Sequence, residues 1–221
     1  MKILVAGANG KIGTILCGKL WAHPYFSPVA LIRDERQQMK FTALGVPSVV
    51  GDLEDGLAQF LPDLDAVVFS AGSGSRTGPE KTIDVDQNAA IRLIEDCERT
   101  NLRRFLMVSA IGADPNSESE RIGHYYRAKG LADDRLRASS LDYLIVAPGR
   151  LTDERGSGSV DLAENLGRNG TIPREDVADV IVAALEHPAV TGKTIQVLAG
   201  DVSVKEAVAD AFGGPPPPLI A

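Results

Sequence analysis

The stretch Val5-Ala6-Gly7-Ala8-Asn9-Gly10-Lys11-Ile12-Gly13 decides the fold of this chain. It follows a short apolar run at residues 3–5 and leads into residues 11–21, whose pattern favours a helix. A pair of phosphate groups needs backbone N–H donors at close range and the positive end of a helix dipole. Glycines at the turn let phosphates approach, and a glycine in the first helical turn lets the helix pack closely on the strand. Strand, glycine turn and helix in this order predict dinucleotide binding, with Gly7, Asn9, Gly10, Lys11, Ile12 and Gly13 at the phosphates.

Composition limits the partners that the chain can have. Its 221 residues carry a formal net charge of −7 and have a pI near 5.0. This balance argues against nucleic acid and anionic membranes as partners, because both attract basic surfaces. No apolar run approaches the length that spans a bilayer. The first predicted strand begins at Lys2, so no signal peptide is expected and a cytoplasmic location follows.

The cysteines and histidines predict neither a disulfide nor a metal site. Cys17 and Cys97 both fall in predicted helices among apolar neighbours, so they are expected to be buried free thiols in a reducing compartment. His23, His124 and His187 are scattered, and no pair of them has the spacing of metal ligands. No metal cofactor is therefore expected.

Apolar runs and helical segments alternate along the chain. Strands are predicted at residues 3–5, 29–32, 46–50, 65–69, 105–108, 143–146 and 194–198, and helices at 11–21, 34–44, 81–100, 124–138 and 173–185. This alternation predicts an α/β fold, a Rossmann-like doubly wound parallel sheet with helices on both faces. Residues 1–221 are expected to form a single domain. Within it, 151–221 would include a small substrate-side cap, 152–159 a lid or substrate loop, and 213–221 a loose tail.

Arg33 and Asp34 follow the second strand, where such a fold reads the adenosine ribose. An acidic residue there holds the 2′-hydroxyl of NAD, whereas a cation holds the 2′-phosphate of NADP. Arg33 comes first, and its guanidinium pairs bidentately with phosphate, so NADP is favoured over NAD. A solvated charge at the strand end is the alternative reading of Arg33, and Asp34 is the residue that could reverse the preference.

Other strand ends are predicted to complete the cofactor site. Asp52 could accept from the adenine amino group and Leu53 could cover the ring, although Asp52 could equally cap the next helix. The small residues Ala71, Gly72 and Ser73 follow the fourth strand and would pass near the pyrophosphate and the nicotinamide ribose. Pro148, at the end of the sixth strand, is assigned to the same site.

Tyr125 and Lys129 lie four residues apart on one predicted helix, a spacing that puts both side chains on the same face. An ammonium beside a phenol, with an oxidised nicotinamide ring nearby, favours the phenolate and lowers the phenol pKa, which would make Tyr125 a general acid or base. Tyr126 is a weaker candidate because Gly130 stands four residues beyond it. A surface pair is the alternative reading of the Tyr/Lys spacing.

The chain resembles the short-chain dehydrogenase/reductase superfamily over essentially its whole length. Within it, the chain is similar to the atypical NADP-binding group commonly labelled NAD-dependent epimerase/dehydratase. The resemblance lies in Gly7 to Gly13, Arg33-Asp34, Gly51-Asp52-Leu53, Ala71-Gly72-Ser73, Ser109 to Ala113, Ala128-Lys129 through Ala132-Asp133, and Leu151-Thr152-Asp153-Glu154. It implies a Rossmann-like fold and a bound NADP, with Lys129 also positioning the ribose. It does not imply a particular substrate.

The resemblance also implies two further catalytic residues. The asparagine of the superfamily's active site falls on Asp86, and its serine falls on Ser109 or, in another register, on Ala110. If Ala110 holds that place, a donor to the substrate carbonyl is missing, and losing one such donor slows catalysis by about a hundredfold or more. The expected function is an NADPH-dependent oxidoreductase acting on a small carbonyl or alcohol. A sugar epimerase/dehydratase-like enzyme and a non-catalytic NADPH-responsive regulator are the alternatives, and the oligomeric state stays open.

Overall fold

A computed structural model describes residues 1–74, 77–187 and 191–214 and places a nine-stranded sheet at the centre of the molecule. The strands of the described chain are β1 (Lys2–Ala6), β2 (Ser27–Ile32), β3 (Ser48–Val50), β4 (Ala66–Phe69), β5 (Arg104–Val108), β6 (Asp142–Pro148), β7 (Arg150–Thr152), β8 (Ser159–Ala163), β9 (Thr171–Pro173), β10 (Lys193–Ala199) and β11 (Val202–Ser203). Strands β7 and β9 pair in a small sheet of their own, and the other strands form the central one.

The central sheet has the strand order β11-β8-β10-β6-β5-β4-β1-β2-β3. Every pairing from β10 to β3 is parallel, and only β8 runs antiparallel to its neighbours β10 and β11. The order reverses at β1, which pairs with β2 on one side and with β4 on the other. A ligand of a doubly wound sheet binds outside the carboxyl ends of the strands at such a reversal. The predicted single-domain, Rossmann-like α/β fold is confirmed.

Helices cover both faces of the sheet. They are α1 (Lys11–Trp21), α2 (Gln38–Ala43), α3 (Pro79–Thr82), α4 (Ala90–Thr100), α5 (Gly123–Arg137), α6 (Arg174–Glu186) and α7 (Val204–Phe212), with 3-10 turns at Glu35–Gln37 and Ala58–Phe60 and a π-helical segment at Ile83–Ala89. Ile3 and Val5 of β1 face the core under α1, α6 and α7, whereas Leu4 and Ala6 face the core under α4 and α5. Burial on both faces explains why the parallel strands are continuous apolar runs.

Two predicted helices differ in detail from the structure. The helix predicted at 34–44 is a 3-10 turn followed by α2, because Asp34 caps the turn by accepting from the backbone N–H of Arg36. The helix predicted at 81–100 begins at Pro79 and contains the π-helical segment, in which Asp86 is buried. Single turns of π-helix are frequent at functional sites. Cys17 and Cys97 are buried free thiols, as predicted.

The segment after residue 150 contributes β8, β10 and β11 to the central sheet and α6 and α7 to one of its faces. The sequence pattern predicted only β10 and α6 there. The predicted lid segment is tied to the first turn of α6, because the backbone N–H groups of Gly156 and Gly158 donate to Glu175 and Asp176, each at 2.9 Å. Coverage of a substrate by this segment stays a prediction. Of the predicted tail, residues 215–221 lie outside the described part of the chain.

No helix among the described residues is long and apolar enough to cross a membrane. Within the same residues, no group of three or more His, Cys, Asp or Glu side chains could hold a metal ion.

Candidate cofactor and active site

The glycine loop joins β1 to α1 and brings its three glycines into different surroundings. Gly7 has a φ of +84°, and a Cβ there would lie 2.6 Å from the Cα of Ala71. A Cβ on Gly13 would lie 2.8 Å from the Cα of Ala8. A Cβ on Gly10 would meet only the carbonyl oxygen of Gly7, at 3.1 Å, with open space beyond it. Gly7 and Gly13 therefore allow close backbone packing, while Gly10 keeps the space in front of the helix clear.

The amino terminus of α1 suits an anion. Gly10 is the N-cap residue, no side chain caps the helix, and the first turn carries no acidic residue. The first backbone N–H groups of a helix point outward with the positive end of its dipole. Open space at Gly10 and uncapped amides behind it fit the pyrophosphate of a dinucleotide.

The loop after β4 lies against the glycine loop and also reaches the catalytic candidates. Ala71 packs on Gly7, as the short approach to its Cα shows. The backbone N–H of Ser73 donates to Asp86 Oδ2 at 2.8 Å, and a Cβ on Gly72 would lie 3.1 Å from Asp86 Oδ1. The structure thus brings Ala71, Gly72 and Ser73 between the phosphate site and Asp86.

Cations surround the end of β2. Arg33 is exposed, and Arg36 forms a two-pronged ion pair with Asp34, with Nε 2.8 Å from Oδ2. Hydrogen bonding from Arg36 lowers the pKa of Asp34 to about 2, so this carboxylate is ionised and its charge is matched. Lys40, which the sequence analysis did not select, reaches from α2 to the glycine loop, where its Nζ lies 3.0 Å from Asn9 Oδ1.

Asp52 and Leu53, the predicted adenine contacts, have different surroundings in the structure. Asp52 Oδ1 accepts the backbone N–H of Glu54 at 3.0 Å, so this carboxylate stabilises the turn after β3. The capping alternative for Asp52 is therefore seen, although it caps a turn rather than a helix. Leu53 is partly buried against the core under α4 and α5. Pro148 is buried at the end of β6, where its carbonyl oxygen accepts the N–H of Ile111 at 2.9 Å.

Lys11 is exposed at the first position of α1 and forms an ion pair with Asp153, which also pairs with Arg174 at 2.6 Å. Hydrogen bonding from Lys11, with further attraction from Arg174, lowers the pKa of Asp153. The cluster connects the glycine loop to the segment after β7. Neither Asp153 nor Arg174 was selected as a site residue from the sequence.

Tyr125, Lys129 and Asp86 form the catalytic candidate. The Nζ of Lys129 lies 3.1 Å from Asp86 Oδ1 and donates to the carbonyl oxygen of Val108 at 3.2 Å. Both charged side chains are almost completely buried, at 4% and 2% exposure. The π-helical segment supplies Asp86, α5 supplies Tyr125 and Lys129, and β5 ends at Val108. The predicted same-face arrangement on α5 therefore meets a carboxylate from a neighbouring helix.

The pKa of Tyr125 moves in the opposite direction from the one expected. Burial raises it, and the ammonium of Lys129 lowers it by less. Asp86 adds a further upward contribution because it is negatively charged and close. Burial lowers the pKa of Lys129, but Asp86, Tyr125 and Asp133 together raise it by more, so the lysine is held as a cation. The expected lowering of the Tyr125 pKa is not seen in the protein without nucleotide, because burial and then the charge of Asp86 outweigh the ammonium of Lys129.

Ser109 directs its hydroxyl at a residue that the sequence analysis did not select. It donates to Asp133 Oδ2 at 2.7 Å, and both residues are buried. Burial raises the pKa of Asp133 to about 6, with the Ser109 hydrogen bond and Arg137 opposing the rise. Asp133 stands four residues after Lys129 on α5, so the same helical spacing that pointed to Lys129 could have pointed to it.

Comparison with known proteins agrees with this geometry. The NAD(P)H-binding family matches residues 7–188. The chain belongs to that family. The match runs from Gly7 of the glycine loop to just beyond α6, so it includes both the phosphate site and the catalytic candidates. The predicted dinucleotide binding is therefore confirmed at the level of NAD(P), with the choice between NAD and NADP left open.

Individual relatives fit this family. The chain is 37% identical over 212 residues to the uncharacterized sugar epimerase YhfK of Bacillus subtilis, and the alignment covers 94% of this chain and 99% of that protein. It is similar to a solved structure from Bacillus halodurans that is provisionally named an NAD-dependent epimerase/dehydratase, with 40% identity, a TM-score of 0.91 and coverage of 95% and 99%. The anaerobillin reductase ChuY of Escherichia coli O157:H7 is 26% identical, with a TM-score of 0.76 and coverage of 92% and 99%. The predicted resemblance to epimerase-like and oxidoreductase members of this fold is confirmed.

Proposed function

We propose that the protein is an NADPH-dependent reductase of the short-chain dehydrogenase/reductase type that acts on a small carbonyl compound. The observation that carries the proposal is the 3.1 Å contact between Lys129 and Asp86, beside Tyr125. Asp86 also accepts the backbone N–H of Ser73, in the loop that packs on the glycine loop. A buried Lys and Asp beside a partly buried Tyr, at the carboxyl ends of β4 and β5, suit proton transfer more than surface solvation. Reductase ChuY among the similar structures supports the same reading.

The cations at the end of β2 support NADP rather than NAD. Arg33 is exposed, while the adjacent carboxylate, Asp34, is engaged by Arg36. Lys40 adds a third positive charge that already contacts the glycine loop. A 2′-phosphate carries more negative charge than a 2′-hydroxyl, so it gains more from this cluster. The uncapped amino terminus of α1 would hold the pyrophosphate in either case.

When bound, the reduced nicotinamide supplies a hydride to the carbonyl carbon of the substrate. Tyr125 donates its phenolic proton to the carbonyl oxygen as the negative charge develops there. The ammonium of Lys129 stabilises the phenolate that Tyr125 becomes, and Asp86 holds that ammonium in place through its 3.1 Å ion pair. Because the pKa of Tyr125 is raised, the phenol is protonated at neutral pH and ready to act as the acid.

The test of this function is NADPH oxidation against a panel of aldehydes, ketones and quinones. The wild type and Tyr126→Phe are expected to turn over the same compounds, whereas Tyr125→Phe loses about a hundredfold or more, as expected for a lost general acid. Tyr126 is the matched control because it is the adjacent tyrosine and packs against Gly112 instead. Equal rates for Tyr125→Phe and the wild type would show that the assigned acid is wrong.

A sugar epimerase is the second candidate, favoured by the name of the relative YhfK. An epimerase returns the hydride to the substrate, so a sugar nucleotide would change configuration without net consumption of nucleotide. Incubation of a sugar-nucleotide panel with catalytic amounts of oxidised NADP, followed by chromatography, separates the two reactions. Configuration change without NADPH consumption would favour the epimerase over the reductase.

A non-catalytic NADPH-responsive regulator is the third reading. It is motivated by the Ser109 hydroxyl, which is engaged by Asp133 rather than free for a substrate. Native mass spectrometry with and without NADP measures whether the nucleotide changes the oligomeric state. A nucleotide-dependent change together with no turnover on either panel would favour this reading, and an unchanged state would count against it.

A further inference from the structure

Ser109 and Asp133 form a buried pair beside the catalytic candidates. The Ser109 hydroxyl donates to Asp133 Oδ2 at 2.7 Å, and the two residues are only 3% and 2% exposed. Asp133 lies one helical turn beyond Lys129, and its charge raises the pKa of both Lys129 and Tyr125. The pair is therefore part of the same electrostatic environment as the proposed acid.

A serine hydroxyl has one proton to donate. While Asp133 is ionised it can only accept hydrogen bonds, so the Ser109 hydroxyl proton stays directed at Asp133. Once Asp133 is protonated, its own O–H can donate to Ser109 Oγ, and the Ser109 proton becomes available to another acceptor. The two states of this pair differ in whether Ser109 can donate outside it.

We propose that Asp133 is a positioning residue whose protonation decides whether Ser109 donates a hydrogen bond to the substrate carbonyl. The proposal rests on the proposed reductase function. Only one covalent bond changes in this step, since Asp133 gains a proton from solvent and forms an O–H bond. The hydrogen bond between the two side chains then reverses direction, and no electrons are transferred.

The surroundings of Asp133 allow it to change protonation near neutral pH. Burial raises its pKa to about 6, and the hydrogen bond from Ser109 and the charges of Arg137 and Lys129 oppose that rise only in part. Its second oxygen, Oδ1, is buried without a hydrogen-bond partner in the described part of the chain. The ionisable groups that face it are Lys129, Asp134 and Arg137 on α5, and Tyr143, Glu164 and Lys193 around the adjoining cleft.

A cleft supplies the route by which Asp133 exchanges its proton. It has a volume of about 480 Å³ and runs beside α5 along the faces of β6 and β10. Its lining includes Asp133 and Arg137 of α5, Gln196 of β10 and Ala110, which follows Ser109 after β5. Arg137 lies 3.8 Å from Asp133 Oδ2, too far for a direct hydrogen bond, so it does not replace the proton.

The test is the pH dependence of NADPH oxidation with para-nitrobenzaldehyde and phenanthrenequinone as probes. From about pH 5.5 to about pH 8 the protonated fraction of Asp133 falls by more than tenfold, so the wild-type kcat is expected to fall about ten- to hundredfold. Asp133→Asn and Asp133→Leu remove the carboxylate that ionises. Both variants are therefore expected to keep, at about pH 8, the high kcat that the wild type shows at about pH 5.5. Ser109→Ala is expected to give the lower rate at both values.

Asp134→Asn is the matched control, because Asp134 is the neighbouring acid on α5 and pairs with Arg137 on the exposed side. It is expected to retain the fall in rate with rising pH, displaced toward lower pH because the charge of Asp134 raises the pKa of Asp133. Loss of activity in both Asp133 variants to the level of Ser109→Ala, or a pH limb that persists in Ser109→Ala, would overturn the proposal. Absence of wild-type turnover at every pH would instead reject the reductase function, and this step with it.

A second measurement keeps the proposal testable if the Asp133 variants fold poorly. The carboxyl 13C resonance of Asp133 reports its titration directly. The Ser109 hydrogen bond holds the pKa of Asp133 down, so Ser109→Ala is expected to raise the titration midpoint. An unchanged midpoint would show that the hydroxyl does not donate to this carboxylate, and it would overturn the proposal independently of turnover.

Discussion

Replacing two glycines of the same loop by alanine should have very different consequences for stability. Gly7 has a φ of +84°, which costs alanine about 1–2 kcal/mol. Its new Cβ would also lie 2.6 Å from the Cα of Ala71 and 2.8 Å from the carbonyl carbon of Ser70. Overpacking against backbone costs about 1–3 kcal/mol more, and the stiffer unfolded chain returns less than about 1 kcal/mol. Gly7→Ala should therefore destabilise the protein by about 3 kcal/mol.

Gly10→Ala is the matched control. Gly10 has a φ of −69°, which alanine adopts freely, and its Cβ would meet only the carbonyl oxygen of Gly7 at 3.1 Å. Its free energy of unfolding should stay within about 1 kcal/mol of the wild-type value. The assay is urea unfolding followed by circular dichroism, without nucleotide, because bound ligand would add stability of its own. Equal stability of the two variants would refute the assignment of Gly7 to packing and Gly10 to the ligand space.

Three further outcomes follow from the site. The wild type should lose about 3 kcal/mol of stability relative to Asp133→Asn as pH rises from about 4 to about 8, because the raised pKa of about 6 makes the ionised carboxylate unfavourable in the folded protein. A stability difference between the two proteins that does not change with pH in urea titrations would contradict this. Asp86→Asn should lower the pKa of Tyr125, because the charge of Asp86 raises that pKa and offsets the charge of Lys129. Ultraviolet titration, with Tyr125→Phe as the reference that lacks this phenol, measures the change, and an unmoved Tyr125 midpoint would count against an influence of Asp86 on Tyr125. Arg33→Ala combined with Lys40→Ala should weaken NADPH binding about ten- to hundredfold and leave NADH binding within about twofold, as calorimetry would show; equal losses for both nucleotides would argue that neither cation reads the 2′-phosphate.

The fold could be predicted from the sequence because its parallel strands are buried on both faces. Runs such as Ile3 to Val5 and Phe105 to Val108 are continuously apolar for that reason, and the glycine loop marks the first crossover. Strand β8 was missed because Ser159 and Asp161 interrupt its apolar residues at the antiparallel edge of the sheet, and β11 was missed because it has only two residues. Helix α7 was missed although Val204, Ala207, Val208 and Phe212 form a buried apolar stripe at helical spacing, a signal that the sequence pattern did contain.

The candidate site could be predicted only where its members are close in sequence. Tyr125 and Lys129 share a helix face, so their spacing reveals them. Lys40 reaches Asn9 from a different helix, and Asp133 accepts a hydrogen bond from Ser109, which follows a strand. Such contacts depend on how elements pack, which one sequence does not specify. The direction of the Tyr125 pKa shift could not be predicted for the same reason, since the shift depends on the depth of burial and on the position of Asp86.

Nucleotide binding is the central claim, and isothermal titration calorimetry of the wild type and Gly10→Leu with NADPH and NADH tests it most directly. A Cβ at this position would meet only the Gly7 carbonyl oxygen within 4 Å, at 3.1 Å, and the leucine side chain is expected to occupy the space in front of α1 where the pyrophosphate is expected. The wild type should bind NADPH more tightly than NADH, and folded Gly10→Leu should lose about a hundredfold or more in affinity for both, in keeping with a blocked phosphate site. A wild type with no measurable affinity for either nucleotide, or a Gly10→Leu variant with undiminished affinity, would contradict the account.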